Sequence, residues 1–192
     1  MAMGGGGHRN SIALYAIPQS VNYHFVPDMP LRTSSLRTLG AFGNTFAIES
    51  FMDELALAAN TDPVQFRRLH LEDQRALAVL DRVAQLSAWS ERGSRAMGVA
   101  LGRYKNKAAY VAVVAEVVVG DDLAVPRLWA AVDAGLVVNP DGLRNQIEGG
   151  LIQALSWTLK EEVRFQDRAI VSQNWEEYPI LTFSEVPEQI TI

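Results

Sequence analysis

Helical and extended patterns occupy separate blocks of this chain, and that separation limits its folds more than any single motif. Residues 45–89 carry three successive helical patterns, and residues 95–132 carry three β-rich runs. Without strand–helix alternation there is no route to a doubly wound parallel sheet, so the class expected is α+β, a helical layer followed by a mixed sheet with a long packed helix. The first helix, Thr45 to Ala59, shows an apolar stripe of Phe46, Phe51, Leu55 and Ala58, with Ile48 and Met52 beside it, while Glu49, Asp53 and Glu54 are acids favoured near a helix start. Asn60-Thr61 breaks it. Asp62-Pro63-Val64-Gln65 restarts a helix with an N-cap, a proline at the first position and Gln at the third, turning Phe66 and Leu69 inward. The third runs from Asp73 to Trp89 with Leu77, Leu80, Val83 or Ala84, and Ala88 at helical spacing. Charges along these helices read as solvated faces.

After Glu91-Arg92-Gly93 the pattern turns extended: Arg95–Leu101, Ala108–Val119 and Val125–Val132, with Gly120-Asp121-Asp122 as turn chemistry. Asp133-Ala134-Gly135 leads to the breaker Asn139-Pro140 and a helix over Asp141–Lys160, with Ile147, Leu151, Ile152, Leu155 and Leu159 on one side. Val163–Phe165 and Ala169–Val171 predict a hairpin about Gln166-Asp167-Arg168. In the long helix, Asn145-Gln146-Ile147-Glu148-Gly149-Gly150 stands out. A glycine in a helix costs about 1 kcal/mol relative to alanine. Two together predict close approach of another element or of a ligand to the backbone.

Two stretches before the helices are less regular. Ile12–Ile17 and Val21–Val26 read as short extended segments, bounded by Pro18, Pro27 and Pro30, that run along a surface or pair with a distant strand. Leu31–Phe46 places Arg32 and Arg37 among Ser and Thr, then Gly40, Gly43 and Asn44 ahead of a helix. Backbone N–H groups and the positive dipole end there suit an anion; a plain loop with two solvated arginines fits equally. The loop is neither a P-loop nor a GxGxxG fingerprint.

Composition narrows the chemistry. A net charge of -5 with no Lys/Arg cluster argues against a nucleic-acid surface. The absence of cysteine excludes disulfides, iron–sulfur ligation and a thiolate nucleophile within these residues. No apolar run is long enough for a membrane span. His8, His24 and His70 lie apart, without acidic clusters, so no metal site is expected among them. No Ser-His-Asp arrangement emerges, and Glu161-Glu162 and Glu176-Glu177 are sequence neighbours that do not converge on a substrate. Asp133, ending a strand, is the better candidate, with turn capping ahead of Gly135 the simpler role. These features alone leave open a non-catalytic α+β interaction module, or a phosphate- or nucleotide-binding enzyme built on the Gly40–Asn44 loop.

Three segments in order resemble the molybdenum-cofactor-binding large subunit of the xanthine dehydrogenase/aldehyde oxidase family, nearest its isoquinoline- and nicotinate-oxidising bacterial type. The first is Leu36-Arg37-Thr38-Leu39-Gly40 leading into Phe46-Ala47-Ile48-Glu49-Ser50-Phe51-Met52-Asp53-Glu54-Leu55-Ala56, with Asp62-Pro63 and Phe66-Arg67 after it. The second is Ala131-Val132-Asp133-Ala134-Gly135 followed by Val138-Asn139-Pro140, and the third is Gln146-Ile147-Glu148-Gly149-Gly150. The resemblance implies a leading extended or flexible segment, residues 1–30, and a part of the molybdopterin-binding domain over residues 31–192, with its helical block at about 45–90 and its sheet and long helix at about 95–192.

It further implies a hydroxylase inserting water-derived oxygen at the C–H of an aldehyde or N-heteroaromatic substrate, with a molybdenum–molybdopterin cofactor in its cytosine dinucleotide form. Arg37 matches the family's arginine that orients substrate or cofactor, with Gly40 following it. Gln146 matches the glutamine that reaches the pterin, beside Gly149 and Gly150, and Glu148 is expected to brace the loop rather than do chemistry. The family's catalytic glutamate sits in a Gly-Glu context that Glu185 and Glu188 lack, which implies that this chain is a piece of a larger subunit, inactive alone. The implied partners are the remainder of that large subunit and an iron–sulfur small subunit.

Overall fold

The computed structural model describes residues 6–31, 37–105 and 107–192. Arg32 and Leu36, named above, lie outside the described residues. The chain forms α1 (Ala41–Ala58), α2 (Pro63–His70), α3 (Gln74–Leu86), a 3-10 turn (Trp89–Glu91), β1 (Ala96–Tyr104), β2 (Ala109–Val119), β3 (Leu123–Asp133), α4 (Pro140–Leu159), β4 (Phe165–Gln166), β5 (Ala169–Ile170) and β6 (Gln189–Thr191). The class is α+β, as expected. β1, β2 and β3 make an antiparallel meander, and β6 returns parallel to β3 at its far edge, giving the order β1-β2-β3-β6. β4 and β5 pair separately through Asp167 and Arg168, both at positive φ, the geometry a two-residue hairpin turn requires.

One core joins the helical block to the sheet. Val79, Leu80 and Val83 of α3 bury against Tyr110, Ala112 and Val114, alternate residues of β2. Met52, Val64, Leu71, Val99, Leu101 and Trp129 complete it. Burial of a side chain such as Leu80 contributes about 1.5–3 kcal/mol. Caps fix the helix starts: Asp62 accepts from the N–H groups of Val64 and Gln65, and Asp73 from those of Arg75 and Ala76. Each cap has a second task. Asp62 also accepts from Trp89 Nε1 and Arg92, tying the 3-10 turn to α2. Asp73 accepts from the Tyr110 hydroxyl at 2.7 Å, tying α3 to β2.

Several expectations change. The first helix starts at Ala41, so Gly43 and Asn44 lie inside it. The Asn44 amide donates to the Gly7 and Arg9 carbonyls, so a preceding segment, held from outside, covers the helix start. The inward stripe of α1 is Glu49, Met52 and Ala56, flanked by Ile48 and Leu55, whereas Phe46 is 67% exposed and Phe51 points to solvent. On α2, Val64 and Arg67 face inward and Leu69 is exposed. Residues 11–17 and 21–26 form no strand; they run as irregular chain, anchored by buried Tyr15 and by the Ala16 N–H donating to the His70 carbonyl.

The charges are not all solvated either. Arg67 is 0% exposed and Glu49 6%. Arg67 donates from Nε to Glu49, from Nη1 to Asp53 and the Pro63 carbonyl, and from Nη2 to the Glu49 carbonyl. Glu49 also accepts from the Tyr15 hydroxyl and the Leu101 N–H. A buried ion pair persists only when its remaining donors and acceptors are met, and here residues from four separate parts of the chain meet them.

Candidate functional site

α4 differs from the other helices. Asn139 caps it by accepting from the Gly142 N–H at 2.9 Å, Pro140 occupies its first position, and Asp141 complements the dipole in the first turn. Beyond that start it is poorly covered. Only Ser156 is buried, and Ile147, Leu151, Ile152 and Leu155, the predicted inward face, are half-buried. The long helix is therefore where expected but lies half-covered. Its C-terminal end is tied by Ser156, whose hydroxyl donates to Glu161 and accepts from the Leu181 N–H.

Gln146, Gly149, Gly150 and Gln153 follow one another at helical spacing and so share a face. Gln146 and Gly149 are exposed and Gly150 half-exposed. A Cβ added at either glycine meets nothing within 4 Å, so among the described residues no element packs against them. The bare backbone is open to an approaching group. Arg37 reaches this face: its Nη1 donates to Gln153 Oε1 at 2.9 Å, one turn from Gly149 and Gly150. Phe42, at the start of α1, meets Trp157 edge-on at 5.6 Å between ring centroids, a second contact between the two helices. Arg37, Gln146, Gly149 and Gly150 are thus brought to one surface.

Gly40 is not. A Cβ there would lie 2.1 Å from the Gly7 carbonyl oxygen, and the Gly40 N–H donates to the Gly6 carbonyl at 2.9 Å. The glycine is required by the chain's own leading segment. That contact also occupies a donor on which an anion-binding reading of the loop rests.

Asp133 holds structure together. It accepts from Arg75 through both oxygens, at 2.6 and 2.7 Å, and its Oδ1 also accepts from the Gly135 N–H at 2.9 Å. Arg75, stacked 4.4 Å from the Tyr110 ring, pins the end of β3 to the start of α3 just before the connection into α4. These donors, Arg75 first, hold the Asp133 carboxyl down to about 2. Glu49 moves the other way. Burial pushes its carboxyl pKa up against the pull of Arg67, Tyr15 and the Leu101 N–H. Glu185 pairs with Lys160 and accepts from Thr182, and these partners, Lys160 first, hold its carboxyl down to about 2. Glu148 is exposed. Among the described residues no cluster of three or more His, Asp or Glu could hold a metal ion, and no helix is long and apolar enough to cross a membrane.

The buried Arg67–Glu49–Tyr15 network escaped sequence reasoning. Its only local signal is that Glu49 and Asp53 share the stripe of Met52 and Ala56, which places acids on an inward face and calls for a cation.

Comparison with known proteins identifies the family of the chain as a whole. A family described as molybdopterin cofactor-binding domain matches residues 47–187, which include Gln146, Gly149 and Gly150. A nicotinate dehydrogenase subunit of Pseudomonas putida is 40% identical over 177 residues, covering 82% of this chain and 15% of that protein. The beta subunit of isoquinoline 1-oxidoreductase from Brevundimonas diminuta is 37% identical, covering 91% of this chain and 23% of that protein. A probable xanthine dehydrogenase subunit of Bacillus subtilis is 38% identical over 44% of this chain and 11% of that protein. The chain thus spans less than a quarter of the length of these relatives. With a domain match over most of its residues and relatives of this similarity, the chain belongs to the molybdopterin cofactor-binding domain family of xanthine dehydrogenase-type molybdenum oxidoreductases.

Proposed function

We propose that the face of α4 bearing Gln146, Gly149 and Gly150, together with Arg37, meets the pterin of a molybdenum–molybdopterin cofactor within the large subunit of a molybdenum hydroxylase. The observation that carries this reading is the convergence of Arg37 on the open glycine face through Gln153. The donor set suits the group. The Gln146 amide offers both a donor and an acceptor to a heterocycle edge, and two adjacent residues without side chains let a flat ring lie against the helix. A guanidinium has five N–H donors and the bond to Gln153 uses one, so Arg37 can orient an oxygen of substrate or cofactor while Gln153 holds it in place.

When bound, the cofactor supplies the two-electron oxidation chemistry. The substrate class proposed is a small aldehyde or N-heteroaromatic compound, hydroxylated at carbon with oxygen from water, and the cofactor form is the cytosine dinucleotide. Electrons leave through an iron–sulfur small subunit. Residues 31–192 act as part of the molybdopterin-binding domain, completed by the rest of the large subunit, and residues 1–30 as its leading segment. Glu185 does not serve as general base: Lys160 and Thr182 hold it ionised and engaged. The 192-residue chain alone is accordingly expected to show no turnover.

The test is Gln146→Ala in the full-length subunit, reading molybdenum and released pterin per subunit. Occupancy is expected to fall several-fold while the fold, read by far-UV circular dichroism, is unchanged. Wild-type occupancy would remove Gln146 from the site.

A further inference from the structure

We propose a second binding site, selective for a small oxyanion, in a cavity of about 250 Å³ where residues 8–14 cross α1 and the end of β1. Arg9, Asn10, Thr45, Glu49 and Arg103 contribute its polar lining. Two asparagines make it a built cavity. Asn10, at φ 61°, donates from its amide to the Arg103 carbonyl at 2.6 Å and to Thr45 Oγ1 at 3.3 Å. Asn44 fixes the crossing segment next to it by donating to the Gly7 and Arg9 carbonyls.

Several acceptors in the lining are already engaged. The His8 carbonyl accepts from Ser11, the Arg9 carbonyl from Asn44, and the Arg103 carbonyl from Asn10. Glu49 Oε1 accepts from Tyr15, and its Oε2 from Arg67 and the Leu101 N–H. Donors are left over. Arg9 Nε is buried without a hydrogen-bond partner among the described residues. Arg103 is already ion-paired with Asp73 at 3.6 Å, but Thr45 accepts from Asn10 with its own hydroxyl proton still to give. A buried cationic donor without an acceptor is costly. An oxyanion in the cavity supplies that acceptor and opposes the Arg9 guanidinium charge, whereas a cation would meet a carboxylate already satisfied. The volume exceeds the roughly 30 Å³ share of one water and accommodates a phosphate or a carboxylate. This site is independent of the α4 surface.

The experiment follows thermal unfolding of the 192-residue chain in inorganic phosphate and, in a second arm, acetate, each against chloride at matched ionic strength. A saturable rise of about 2–4 °C at several times the dissociation constant is expected. A response to phosphate alone assigns a phosphoryl ligand; a response to both admits a carboxylate. Arg9→Gln is expected to abolish the rise, and Arg164→Gln, at an exposed position away from the cavity, to keep it. Thr45→Val gives a second reading, a weakened response, if Arg9→Gln does not fold. A rise no larger than that in chloride, or one retained in Arg9→Gln or undiminished in Thr45→Val, overturns the proposal.

Discussion

α1 and α4 are both long and both carry polar residues on a face toward the molecule's working parts, but they handle them in opposite ways. On α1, Glu49 and Asp53 turn toward a guanidinium from α2, and the Glu49 and Arg67 charges vanish from the surface while the Asp53 carboxylate keeps one edge in water. On α4, Gln146 and the glycine pair remain open, and one guanidinium reaches them from the side. The contrast teaches that polar residues inside an apolar pattern do not themselves mark function. What separates the two is whether the chain satisfies its own polar groups.

The sharpest break between the helices is at Arg67. Arg67→Ala leaves the Glu49 carboxylate buried without its cation, so the purified chain is expected to lose about 3–5 kcal/mol in urea denaturation. A loss under 1 kcal/mol would mean that the pair is far wetter than its burial indicates. Next, Leu80→Ala in the α3 core should cost about 2–5 kcal/mol, and Leu155→Ala on half-covered α4 distinctly less, by the same assay. Equal losses would erase the distinction between the two regions. Gly149→Ala is expected to raise the stability of the isolated chain by about 0.5–1 kcal/mol, because the helix gains propensity and the added methyl meets nothing.

The smallest effect separates the charge clusters by pH. The folded Asp133 carboxyl lies below its ordinary value of 3.8, at about 2. Its pairing with Arg75 therefore stabilises above that ordinary value and is lost as pH falls from 3.8 towards 2. Glu49, raised by burial, has the opposite sign: its protonation favours the fold at low pH, and that contribution fades as pH rises through its folded value. Asp133→Asn should accordingly flatten the acid limb of a stability–pH profile, and an unchanged limb would show that Arg75 does not hold the carboxyl as described.

Element types were largely legible because period, caps and turn residues are local. Asp62-Pro63 started α2, Asn139-Pro140 started α4, and the β-rich runs became β1 to β3 with ends shifted by a few residues. Facing was less legible. Phe46 and Phe51 looked like core and are exposed, while Glu49 looked solvated and is buried, because the deciding partners, Arg67, Tyr15 and Leu101, lie far away in sequence. The same limit applies to Gly40, whose reason is a carbonyl at Gly7. At the candidate site, spacing placed Gln146, Gly149 and Gly150 together, but the bond from Arg37 to Gln153, a residue no motif singled out, is tertiary.

Gly149→Val in the full-length subunit tests the central claim most directly, with cofactor content and apoprotein melting temperature measured on the same preparation. The account expects pterin and molybdenum to fall together several-fold while the apoprotein melts as before, because the new side chain obstructs only a ligand. Full occupancy would contradict it, as would a drop in apoprotein melting that accounts for the loss, since the glycine would then serve packing within the subunit.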